Sequence, residues 1–209
     1  MGLPSLPSGF DVSKRLRTDR ADCQLTVGFD RHRDRILRFL VQLQYQPADE
    51  SGQWRAIARM DHNEIEATGH DVYQEGLHVD VERRSSPSLH LAFSGVTPPQ
   101  RSGVLIRECV EYFRHETDYF VDVYEERRPP SRPPSWSDGG NQTYRFISTN
   151  AIEEHMNQES SEKEFVTVDE LTELLAEAED TTPEAIERGA EEFDIPPPEE
   201  ATVIEGFDE

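Results

Sequence analysis

Cysteine occurs only twice in the 209 residues, at Cys23 and Cys109. Two thiols so widely separated exclude a disulfide framework and a cysteine-built zinc site, and read as small apolar residues in a reducing compartment. Long apolar runs are missing too, none approaching the roughly 18 residues of a membrane span. The opening MGLPSLPSGFDVSKRLRTDR has no apolar core of signal-peptide length, and Leu6 stands where a myristoylation signal needs Ser or Thr. A cytoplasmic protein with no membrane attachment is the expectation. There is no internal repeat, no phosphate-cradling glycine loop and no Ser/His/Asp or Cys/His nucleophile motif.

Lysine is nearly absent, with Lys14 and Lys163 alone beside 19 arginines, while the formal net charge is -22. This composition resembles the proteome bias of haloarchaea, in whose saline cytoplasm surface carboxylates hold hydration and prevent association. Near molar salt the Debye length falls to about 3 Å, so only charges in contact matter. Net acidity therefore does not exclude a nucleic-acid ligand, provided arginines cluster locally. The charge is also lopsided: residues 151–209 carry 21 acids against Lys163 and Arg188, a net of -19, and residues 1–150 a net of -3. With 34% apolar residues, one ordinary domain plus appendages is expected.

Periodicity gives an α+β domain over residues 22–126, built as an antiparallel meander of about five strands with a helix over one face. Residues 1–21 hold Pro4, Pro7 and Gly9 without periodicity and read as a flexible arm. Residues 24–29 form a short strand. Leu37, Phe39, Val41, Leu43 and Tyr45 share one parity of the next, and PADESGQ makes a hairpin to a strand starting at Trp54. Leu77, Val79 and Val81 lie opposite His78, Asp80 and Glu82; Leu89, Leu91 and Phe93 lie opposite His90 and Ala92. A helix from Ser102, with Leu105, Cys109, Tyr112 and Phe113 at helical spacing, covers the apolar face, and residues 119–125 make a last strand. The proline-rich residues 127–142 read as a linker or loop. Residues 143–195 read as an edge strand and an acidic helical segment, and residues 196–209 as a disordered tail. Thr167 with Glu170 makes a capping box, and Thr182-Pro183-Glu184 starts a second helix.

The candidate chemistry lies between Trp54 and Glu82, where three of the seven histidines fall. Strand parity puts Arg55, Arg59 and Asp61 on one polar face with His78 and Asp80, leaving His62 and His70 in the connecting loop. That set suits acid-base work on an anion: His78 or His62 moves the proton, Asp61 and Asp80 orient, Arg55 and Arg59 hold the charge. A solvated, ion-paired sheet face is the competing explanation. No cofactor and no metal ion is expected, since Asp61 and His62 point to opposite faces and the spacing fits no zinc pattern. His115 and His155 read as surface residues. His32, within the RHRDR turn with Arg31, Arg33 and Arg35, is the best basic cluster for nucleic acid.

The run ARMDHNEIEATGHD followed by GLHVD resembles the signature of TumE-type toxins, in which an Arg-x-Asp strand end precedes a histidine-rich loop. Arg59, Asp61, His62, His70 and His78 carry the resemblance, although that family's clustered histidines and proline are not reproduced between Asp61 and His70. The chain as a whole resembles an uncharacterised haloarchaeal family, which implies no activity. Two functions follow as expectations. One is a toxin-like domain binding or cleaving RNA or another phosphate-rich ligand, with the acidic tail covering its arginines until displaced. The other is a noncatalytic interaction module that docks on a protein partner, antitoxin-like, through Leu171, Leu174 and Leu175.

Overall fold

A computed structural model describes residues 3–50, 52–65, 70–130 and 165–205. Seven strands form one sheet in sequence order, each antiparallel to the next. They are β1 Val12–Arg17, β2 Cys23–His32, β3 Arg35–Tyr45, β4 Arg55–Asn63, β5 His78–Val81, β6 Leu89–Ala92 and β7 Thr202–Glu205. The helices are α1 Val72–Glu75, α2 Ser102–His115, α3 Thr117–Tyr124, α4 Val168–Ala178 and α5 Pro183–Glu191. The α+β meander expected from sequence is present, with seven strands rather than five. Among the described residues no helix is long and apolar enough to cross a membrane.

Alternation explains the two faces. Leu25, Val27 and Phe29 of β2 lie opposite Leu43, Val41 and Phe39 of β3, and all six are buried under α2 and α3. Phe113 and Phe120 close the layer with ring centroids 5.3 Å apart. Each such side chain contributes about 1.5–3 kcal/mol on burial.

Two added strands account for the larger sheet. Val12–Arg17, expected in a flexible arm, pairs along its length with β2. Residues 3–10 ahead of it lie on the open face of β2 and β3: Arg15 donates to Pro4 O, Ser13 Oγ to Pro7 O at 2.9 Å, and Arg38 stands over the Phe10 ring at 4.4 Å. At the other end Thr202–Glu205, expected to be disordered, pairs with β6.

The segment 119–125, expected as a strand, is helical. Only Asp118 and Asp122 avoid the core in α3; Tyr119, Phe120, Val121, Val123 and Tyr124 are buried. Carboxylates four apart mark the outer stripe of a helix, a period that outweighs the short Tyr119-Val121-Val123 alternation. The expected edge strand at 144–148, and most of the proline-rich linker, lie outside the described residues.

Both tail helices start where their caps indicate. Thr167 accepts from Glu170 N–H while the Glu170 side chain accepts from Thr167 N–H, and Thr182 caps α5 ahead of Pro183. Their apolar stripes turn inward on the same chain. Leu171 and Leu175 are fully buried in the core shared with the sheet, and Ile186 packs with Val104 of α2. The Glu179 carboxylate accepts from Gly103 N–H at 3.0 Å, in the first turn of α2, where it also meets the positive end of the helix dipole.

On the outer side of α2, Glu108 faces Asp194. Burial, reinforced by Asp194, pushes its carboxyl up to about 7. A carboxyl raised from the ordinary 4.5 supports the fold fully below pH 4.5 and loses that support as the pH climbs through about 7. Glu108→Gln, which does not titrate, is expected to melt higher than the parent at pH 8, by about 1–2 kcal/mol after allowing for its partial exposure, and to match it at pH 4.5. Thermal melts at the two pH values check this; equal melting temperatures at pH 8 would refute it.

Candidate functional site

Register builds the site. Arg59 of β4 lies opposite Asp80 of β5, and Asp80 opposite His90 of β6, so the three share the open face. His78, two residues before Asp80, points the same way. Asn63 N–H at the end of β4 donates to His70 O at 2.7 Å, which ties the residue ahead of α1 to that strand. The single turn α1 follows, capped by Asp71 and ended by Gly76 at φ 90°, a value glycine adopts without strain. This detour brings His70 over His78.

The result is a cavity of about 490 Å³ lined by Arg59, Asp61, His70, Glu75, His78, Asp80, Glu82, Ser88, Leu89 and His90. His70 Nε2 lies 2.9 Å from His78 Nδ1, which is also 3.1 Å from Gly76 O. The His78 and His90 rings stack at 4.1 Å. His90 Nδ1 is 2.9 Å from Asp80 Oδ1, and Arg59 Nε donates to Asp80 Oδ2 at 3.0 Å. Asp61 Oδ1 lies 3.7 Å from Arg59 Nε, and Glu75 Oε2 is 2.8 Å from His70 Nδ1.

Burial and the neighbouring His70 and His90 push the His78 imidazole down to about 4, so it stays neutral near pH 7. Burial alone would raise the Asp80 carboxyl, but hydrogen bonds from His90 and Arg59 outweigh it and hold it down to about 2. A larger hollow of about 640 Å³ lies between residues 3–10 and β3, lined among others by Leu3, Pro4, Phe10, Leu40 and Trp54. No ionisable side chain lines it.

Arg59, Asp61, His78 and Asp80 thus meet as the parity of their strands requires. Arg55 and His62 do not join them. A register shift between Leu43 and Gln44 leaves Ile57 as an extra residue in β4, and beyond it Arg55 pairs opposite Tyr45 instead of continuing the Arg59 row. Its guanidinium reaches Glu50 at 2.7 Å. His62 is not in a loop: it is the penultimate residue of β4, opposite Phe39 on the core face and fully buried. Burial lowers its pKa against the pull of Glu64, 3.3 Å from Nε2.

His90, His70 and Glu75 were missed as members of the cavity. His90 was within reach of sequence, because its parity and a simple hairpin register place it opposite Asp80. The others depend on a loop closure that no periodicity encodes. The basic turn is also altered, since Arg31 pairs with Glu177 at 2.9 Å and Arg35 with Glu64 at 3.2 Å. Tail carboxylates meet arginines at Arg31, Arg101 and Arg128, while Arg59 is paired with Asp80 and Arg55 with Glu50.

Fold and site together define an α+β domain whose antiparallel meander carries a histidine-carboxylate cavity on its open face. The family model described as a domain of unknown function (DUF7718) matches residues 11–129, more than half of the chain, and the chain belongs to that family. The matched span runs from the start of β1 to just past α3, so β7, α4 and α5 lie beyond it. Comparison with curated proteins and with solved structures finds no match.

Proposed function

We propose that this domain acts on a phosphodiester, with RNA as the first candidate, and that proton transfer by His70 in the β4–β6 cavity is part of the chemistry. The observation that carries the reading is the convergence of three imidazoles in one cavity, two of them held by carboxylates: His70 by Glu75 and His90 by Asp80. An imidazole oriented by a carboxylate, beside space for a ligand, is the arrangement general acid-base catalysis needs. His70 is the proton carrier because its imidazole is partly exposed, whereas His78 is buried; its Nε2 meets a ligand by giving up the contact with His78 Nδ1, which keeps Gly76 O. Arg59 has a reduced part as anion holder, because Asp80 already occupies its Nε. In this reading the protein is toxin-like in the sense of an RNA-cleaving domain.

The interaction-module alternative has less support, since Leu171 and Leu175 are buried against their own chain and Leu174 is partly buried on the same core. The test is cleavage of single-stranded RNA by the full chain in high KCl. His70→Asn is expected to slow cleavage by about 100-fold or more, the usual scale for an acid-base group. Arg55→Ala, outside the cavity, should cleave as the parent does. RNA left intact by the parent, or cut equally fast by His70→Asn, sinks the proposal.

A further inference from the structure

We infer that His78, Asp80 and His90 form a binding site for one divalent transition-metal ion of the Zn²⁺ type. One donor atom from each residue lies within 4.8 Å of the other two, across two adjacent strands in fixed register. Tetrahedral zinc with bonds of about 2.0–2.1 Å wants its donors roughly 3.3–3.5 Å apart, so the set closes by side-chain movements of about 1 Å in which the His78 and His90 rings turn out of their stack and aim their lone pairs at one ion. Asp80 Oδ1 and His90 Nδ1 are already closer than that, at 2.9 Å.

The surroundings support each donor. Arg59 Nε holds Asp80 Oδ2, and the ion would take the place of the hydrogen bond that now joins Oδ1 to His90 Nδ1. Gly76 O and His70 occupy His78 Nδ1, which leaves Nε2 as its donor. Outer partners of this kind fix ring orientation and donor strength in metal sites. Three protein donors with a remaining position turned to a cavity is the pattern of catalytic rather than structural zinc.

Charge balance adds an independent argument. Asp61, Glu75, Asp80 and Glu82 line the cavity against the single guanidinium of Arg59. A phosphodiester entering an excess of carboxylate would be repelled, and a divalent cation removes that obstacle while offering the phosphate a ligand position. Two nitrogens and one oxygen favour borderline ions such as Zn²⁺, Co²⁺ or Ni²⁺ over Mg²⁺ or Ca²⁺, which take oxygen sets. The ion uses His78 and His90 and leaves His70 with Glu75. The metal site goes beyond the phosphodiester reading and stands without it, on the donor set and the excess of carboxylate.

The full chain, without a polyhistidine tag and stripped with chelator, is titrated with Zn²⁺ by calorimetry and with Co²⁺ by visible absorption. One Zn²⁺ per chain is expected, with Co²⁺ bands of low-coordinate intensity. His90→Ala and Asp80→Asn should each weaken Zn²⁺ binding by at least about 100-fold, and Arg59→Ala by about 10–100-fold. His90→Phe preserves a ring against His78 and guards against loss of fold, which circular dichroism without metal checks. No uptake of Zn²⁺, uptake unchanged in both His90 variants, or Mg²⁺ competing at equal concentration would each overturn the site. Zinc bound with RNA intact sinks the phosphodiester reading alone; RNA cut by a chain that takes up no zinc sinks the metal site alone.

Discussion

Ended at residue 130, the chain is expected to lose its cooperative thermal transition and to bind hydrophobic dyes. The deleted part supplies Leu171, Leu175, Ala178, Ile195 and Ala201 to the same core as Leu105, Val110 and Phe113. It also supplies Ile186, packed on Val104, and the strand that covers the edge of β6. Truncating one buried leucine to alanine costs about 2–5 kcal/mol, and a domain of this size has about 5–15 kcal/mol to lose. Removing two leucines and two isoleucines together therefore exceeds the reserve.

A graded version separates core loss from any effect of charge. Leu175→Ala, which leaves the net charge at -22, is expected to lower stability by about 3 kcal/mol in urea melts. A shortened chain melting sharply near the parent temperature would show that the tail only decorates the domain.

That result bears on how much of the molecule its sequence reveals. Period-two alternation located β2 to β6, because each of these strands sends apolar side chains of one parity into the core. The caps at Thr167 and Thr182 located the tail helices, because a cap is a local hydrogen bond between residues three apart. What failed was everything set by distant partners. The sequence of α4 and α5 shows narrow apolar stripes and many carboxylates, and nothing local says that α2 is the surface they meet. β7 is short and follows three prolines, and only the unpaired edge of β6 makes it a strand. Within the site, parity correctly grouped Arg59, Asp61, His78 and Asp80. It misplaced Arg55 because the extra residue Ile57 shifts the phase of β4, and a one-residue shift moves every side chain before it to the other face.

Residues 3–10 are the other distant dependence, and Gly28→Val is expected to reveal it by the sign of its effect. In a strand of an exposed sheet, valine outranks glycine by up to about 1 kcal/mol. Were the first ten residues loose, the substitution would stabilise the protein. A Cβ at position 28, however, would stand 2.6 Å from Phe10 Cδ2, 2.8 Å from Phe10 Cγ and 3.1 Å from Pro7 Cβ. The branched side chain must lift both residues off β2. Lifting them opens the stack of Arg38 on Phe10 and takes Pro4 O away from Arg15, which is only 6% exposed. A buried guanidinium that loses an acceptor costs about 1–3 kcal/mol, and the lost Phe10 contact adds about 1–2 kcal/mol. The sum outweighs the strand preference, so Gly28→Val should be destabilised by about 2–4 kcal/mol in urea melts. Phe10→Ala should remove most of that penalty in the double variant, because the clash and the contact it destroys are the same pair. A Gly28→Val protein more stable than its parent would mean that the ring does not rest on this glycine and that residues 3–10 leave the open face of β2 uncovered.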